Sequence, residues 1–183
     1  MPISINFELS DSDLEHFREV IKAAAQNASK YTEDEILTKA AATCKEMENA
    51  ELPSFVSERV ESLEMLMAAV TDEEWQMPEE ERQDILTSLA YFVDPEDMVP
   101  DHIPGLGYLD DAIMIELVIQ DMSLDLSAYR EFCSFRSTEE KRRGAEARVD
   151  RESWLAGTRS QIRSSMRKKR QSGTRRRVFG RIM

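Results

Sequence analysis

Val56, Val60, Leu63, Met67 and Val70 recur at intervals of four, three, four and three residues. That period lays one apolar stripe along an α-helix and cannot do so along a strand. The same spacing returns in Leu14, Phe17, Ile21 and Ala24 behind Ser10, and in Leu37, Ala40, Cys44 and Met47. Thr32-Glu33-Asp34-Glu35 precedes the latter run as a capping box, in which the Thr32 hydroxyl takes an orphan amide and Glu35 reaches back. Thr71-Asp72-Glu73-Glu74 is expected to cap a short turn carrying Trp75. Pro78 suits a first helical position, with Glu79, Glu80 and Glu81 where the helix dipole favours acids. Ile85, Leu86, Leu89, Phe92 and Val93 continue that helix. Leu109–Met122 is apolar almost all round and belongs at the centre of a domain. Leu124, Leu126, Tyr129, Phe132, Cys133 and Phe135 form the last core segment. No stretch alternates with period two and no internal repeat stands out. The expectation is an all-α protein, a single helical bundle of about five to six helices reaching to roughly residue 136. A basic, partly helical or disordered C-terminal extension follows it.

At 183 residues with 41% hydrophobic side chains, the chain is long enough to bury a core of ordinary size. Its apolar runs fall far short of the ~20 residues needed to span a bilayer. The start, "MPISINFELSDSD", has neither a basic segment nor an apolar one, so no signal peptide is expected. Cys44 and Cys133 are solitary and far apart, the pattern of reduced thiols in a cytoplasmic protein.

Charge divides the chain in two. Residues 1–140 carry 9 Lys and Arg against 33 Asp and Glu, a balance of −24; residues 141–183 carry 15 against 3, a balance of +12. Such asymmetry marks an electrostatic arm on a folded body. The expected organisation is an acidic helical domain over 1–140 and a basic tail over 141–183.

Between the Ile85–Val93 run and the central apolar helix lies "DPEDMVPDHIPGLGYLDDA", Asp94 to Ala112. Pro95, Pro100 and Pro104 each stop a helix, and Gly105 and Gly107 permit backbone angles that other residues avoid. Asp110 and Asp111 fall in the first turn of the central helix, where carboxylates accept free amides. The spacing Pro95-x-Asp97-x-x-Pro100-Asp101-x-Ile103-Pro104-x-x-Gly107-Tyr108-Leu109-Asp110-Asp111 resembles the signature of the YkvA-like family, a bacterial domain of unknown function, over Leu89 through Ile119. The resemblance implies a small helical domain, sometimes membrane-associated, with no established reaction, substrate or cofactor. Glu96 and His102 stand where similar sequences carry apolar residues, which speaks against a membrane-embedded version here.

Asp94, Asp97, Asp101, His102, Asp110 and Asp111 offer ligands for Mg²⁺, Mn²⁺ or Zn²⁺, and a metal-dependent hydrolase is the alternative reading of the corner. The spacing matches neither an EF-hand nor HExxH. The favoured reading is structural: prolines fix the turn, Asp97 and Asp101 bond local amides, and Asp110–Asp111 cap the central helix. There is no nucleophile elbow, no phosphate-binding loop and no dinucleotide fingerprint, and His16 lies in a predicted surface helix. No cofactor is expected, and enzymatic activity less so than binding.

In the tail, Arg159, Arg163, Arg167 and Arg170 repeat at helical spacing beside Leu155, Ile162 and Met166, with Lys168 and Lys169 between them. Arg175, Arg176 and Arg177 follow beyond Gly173, with Val178, Phe179 and Ile182 as apolar anchors. Such a segment suits an anionic membrane, nucleic-acid phosphates, or the acidic body itself within one chain or between copies. A body at −24 repels phosphate. The reading is an interaction or regulatory module in the cytoplasm or peripheral at the membrane. Its acidic body binds a protein partner and its basic tail engages an acidic surface.

Overall fold

A computed structural model describes residues 8–49, 54–93, 108–143 and 151–172. Among these residues the protein is all-α. The helices are α1 (Asp11–Asn27), α2 (Glu33–Asn49), α3 (Ser54–Thr71), α4 (Glu79–Leu89), α5 (Leu109–Asp121), α6 (Ser123–Arg143) and α7 (Arg151–Ser172), with 3-10 turns at Ala28–Lys30 and Ala90–Val93. The count is slightly above the expected five to six because the chain past residue 136 stays helical. α6 runs on to Arg143, and α7 takes up much of the basic segment.

The starts of the helices follow local chemistry. Ser10 caps α1 in a box with Asp13: the Asp13 amide donates to Ser10 Oγ at 3.3 Å and the Ser10 amide to Asp13 Oδ2 at 2.8 Å. Thr32 and Glu35 close the predicted box on α2, with the Thr32 amide 2.7 Å from Glu35 Oε2. Pro78 sits one residue earlier than expected, as the N-cap of α4 with φ −58°. After α3, Asp72 rather than Thr71 makes the turn: its Oδ1 accepts the Glu74 amide at 2.9 Å and the Trp75 amide at 3.2 Å. The Thr71 hydroxyl instead donates back to the Met67 and Ala68 carbonyls.

Two apolar clusters hold the helices together. The larger gathers Ile21, Ala40, Met47, Leu63, Leu66, Leu89, Met114, Ile115 and Val118 from α1 to α5. Met114, Ile115 and Val118 are all 0% exposed, so α5 lies at the centre, as its composition requires. The smaller joins Ala69 and Trp75 to Ala128, Tyr129 and Phe132 of α6 and to Leu155, Ile162 and Met166 of α7. Met65 and Met77 pack against both clusters, so the basic helix adds a layer to the body's core. No helix among the described residues is long and apolar enough to cross a membrane.

Candidate functional site

The corner is described only at its downstream end. Pro95, Asp97, Pro100, Asp101, His102, Pro104, Gly105 and Gly107 lie outside the described residues. Asp110 and Asp111, the second and third residues of α5, are buried at 3% and 5% exposure, and neither is without a partner. They sit in a first turn whose N-cap, Tyr108, supplies no side-chain bond, where a carboxylate complements the dipole. Among the described residues no three His, Cys, Asp or Glu side chains are grouped to hold a metal. His16 is exposed on α1 at the rim of a groove of about 320 Å³ that Glu19, Tyr31 and Tyr91 also line. Burial pushes the Cys44 thiol up to about 12, assisted by Glu64 and Glu48, so it does not present a thiolate.

The basic helix gathers far more polar chemistry. α7 packs along α6, and its inward face carries Leu155, Arg159, Ile162 and Met166, all buried, with Arg163 and Arg170 half-buried beside them. What this face meets is the Asp72–Pro78 turn. Arg159 donates to the Glu74 carbonyl at 2.7 Å and to Glu152 Oε1 at 2.5 Å. Arg163 donates to the Trp75 carbonyl at 2.9 Å and also to that of Gln76. Its guanidinium lies over the Trp75 ring, 5.0 Å from the centroid. Arg170 bridges two helices, reaching Glu81 Oε1 of α4 at 2.9 Å and Asp125 Oδ1 of α6 at 2.5 Å. Arg151 pairs with Glu74 and lies 2.5 Å from Glu140 Oε1.

From the other side α6 holds the start of the same turn. Tyr129 donates its hydroxyl to Asp72 Oδ2 at 2.8 Å, and Arg136 reaches that oxygen at 2.7 Å and Glu74 Oε2 at 3.0 Å. Two carboxylates respond in opposite ways. The Arg151 hydrogen bonds hold Glu74 below the usual carboxylate range, against the cost of burial and with help from Arg136. Burial pushes the Glu81 carboxyl up despite the adjacent Arg170. Burial also pulls the Arg163 guanidinium down from its ordinary value.

Of the tail residues singled out in the sequence, the structure therefore brings Arg159, Arg163 and Arg170 together on the body. It leaves Arg167, Lys168 and Lys169 on the outer face, and Arg175, Arg176 and Arg177 lie outside the described residues. Sequence reasoning gave Asp72, Glu74 and Glu81 only local helix-end roles, and passed over Asp125, Arg136 and Arg151. Arg151 stands four residues before Leu155 and so extends the inward stripe, a signal that was present. The carboxylate partners carried none, because nothing separates them from the 33 acids of residues 1–140.

A family model described as a protein of unknown function, DUF1232, matches residues 85–117, from Ile85 in α4 to Leu117 in α5. The match covers less than half of the chain and overlaps the expected Leu89–Ile119 segment. Its described part supplies Leu89, Tyr91, Phe92, Met114 and Ile115 to the larger apolar cluster. Neither curated proteins nor solved structures give a match to this chain.

Proposed function

We propose that this YkvA-like protein is a helical interaction module whose acidic body seats a basic amphipathic helix. Its own α7 fills that seat until a protein partner bearing such a helix competes for it. The observation that carries this reading is the direction of α7. The arginines and the apolar stripe that suit it to an outside surface are turned onto Glu74, Glu81, Asp125, Trp75 and Phe132. A seat made of an aromatic floor and a carboxylate rim selects cationic amphipathic helices and repels acidic ones. Docked in this way, α7 has no apolar stripe left for lipid. Nor does a body at −24 favour nucleic acid. Gly157 weakens α7 as an independent helix, so α7 depends on the seat for its order. The solitary thiols, Cys44 buried and Cys133 half-buried, accord with a reducing cytoplasm.

The test is a fluorescently labelled peptide spanning residues 151–172, titrated into the full-length chain. It should bind saturably, more weakly as salt rises, and lose affinity for a chain carrying Glu74→Gln and Glu81→Gln. No binding to the unaltered chain, together with α7-dependent capture of anionic vesicles or oligonucleotides, would contradict the reading.

A further inference from the structure

The turn that α7 grips is also the lead into α4, and α4 runs directly into the segment that the family model matches. Within this turn Gln76 has φ +51°, the left-handed region that a residue with a Cβ enters only at a cost. The turn closes on itself where the Asp72 carbonyl accepts the Trp75 and Gln76 amides, and two further sets of contacts grip it from outside. The upstream set belongs to α6 and acts on Asp72 through Tyr129 and Arg136, the latter also reaching the Glu74 carboxylate. The downstream set belongs to α7 and acts on residues 74–76, where Arg159 and Arg163 donate to three successive carbonyls. A third α7 arginine, Arg170, holds Glu81 in the first turn of α4.

We infer that α7 is a strap that sets the geometry of α4, so that release of α7 is transmitted through the Trp75–Pro78 turn to the 85–117 segment. Asp72 keeps its α6 partners when α7 leaves, so the body remains folded up to the end of α3. Among the described residues it is Arg159 and Arg163 whose side chains donate to the carbonyls of residues 74–76, and without them Gln76 can relax toward negative φ. α4 enters from Pro78 immediately after, and its orientation follows the turn. The inference deepens the proposed function, since it rests on α7 being able to leave its seat and adds what the departure does.

The experiment is amide hydrogen exchange on the full-length chain, comparing the unaltered protein with Arg163→Ala, and with Arg163→Ala combined with Gln76→Gly. Arg163→Ala should speed exchange about ten-fold at amides of residues 76–82, while the middle of α3 and α5 keep their protection. Glycine at 76 occupies φ +51° without the Cβ penalty, so the double variant should recover a large part of that protection. Arg163→Lys, which keeps the charge but not the planar fork, serves if the alanine variant does not fold, and should show the same pattern in smaller measure. Unchanged exchange over 76–82, an increase spread equally over all helices, or no recovery with Gln76→Gly would each overturn the inference. Because these variants need no competing helix, failure here leaves the peptide-binding test of the proposed function standing, and the reverse also holds.

Discussion

Arg163 of α7 caps Trp75 of the α3–α4 turn twice over, with its guanidinium 5.0 Å above the indole centroid and one of its amines 2.9 Å from the Trp75 carbonyl. The ring is 1% exposed and also packs against Phe132 at 5.0 Å between centroids. Trp75 is thus the floor on which α6 and α7 meet. Trp75→Ala is expected to cost about 3–5 kcal/mol, the usual penalty for removing a buried large aromatic side chain. Arg163→Ala, which gives up charge-assisted bonds at a half-buried site, should cost about 1.5–3 kcal/mol. Urea unfolding followed by far-ultraviolet circular dichroism checks both, and a smaller loss for Trp75 than for Arg163 would remove Trp75 from that central role.

Asp125 and Arg170 form the most buried ion pair of the α7 seat, with side-chain exposures of 4% and 28% and an N–O distance of 2.5 Å. Removing Arg170 takes the paired guanidinium from a carboxylate held away from water. Arg170→Gln should therefore destabilise the protein by about 3 kcal/mol, the lower end for broken buried pairs because the arginine is partly exposed. Adding Asp125→Asn should restore part of the loss. Equal and additive losses in the two single variants and the double one would show that the pair does not act as a unit.

Gly157 is the seventh residue of the continuous helix α7, and a Cβ built there meets nothing within 4 Å. Gly157→Ala should raise stability by about 0.5–1 kcal/mol through helix propensity alone. It should also slow the exchange of α7 amides. A destabilised variant would mean that this backbone packs against something in solution.

The pH dependence of stability contains two opposing contributions. Glu74 has a folded-state pKa lowered from 4.5, so the folded chain binds fewer protons there; its contribution is present above the unfolded value and is lost as pH falls. Glu81 is raised from 4.5, so the folded chain binds more protons; its contribution is present below the unfolded value and is lost as pH rises through the folded one. Glu74→Gln should flatten the acid limb of a stability–pH curve, and Glu81→Gln the decline above about pH 4.5. Urea midpoints across mildly acidic to neutral buffers give both slopes. Identical slopes in the two variants and the unaltered chain would contradict the assignments.

Asp110 and Asp111 are expected to act as first-turn carboxylates of α5, not as a metal site. Asp110→Ala should lower the melting temperature, while prolonged dialysis against a chelator should leave that of the unaltered protein in place. A chelator-dependent fall, reversed by one divalent ion and absent in Asp110→Ala, would favour the hydrolase reading instead.

Most of the fold was legible because it rests on periods that the sequence displays. The Val56–Val70 stripe and the all-round apolar α5 are patterns that bury a helix against others. The Thr32–Glu35 box is local and closes within four residues. The seat was not legible, for a physical reason. Its arginines follow helical spacing, but their acceptors are backbone carbonyls of residues 74–76 and two acids separated by more than forty residues in sequence. A carbonyl has no side-chain signature, and the choice of Glu81 and Asp125 among many acids is made only by tertiary packing. In sequence the same helix suits a membrane, nucleic acid or the acidic body alike, and in the structure it is a layer packed on that body.

The most direct measurement of the central claim is hydrogen exchange across α7 in the full-length chain, with and without saturating peptide of residues 151–172. The account predicts that α7 amides are strongly protected in the chain alone, relative to the isolated peptide, and lose that protection as the peptide takes the seat. α7 amides that exchange as fast as those of the free peptide, or that stay protected while the peptide is bound, would contradict it.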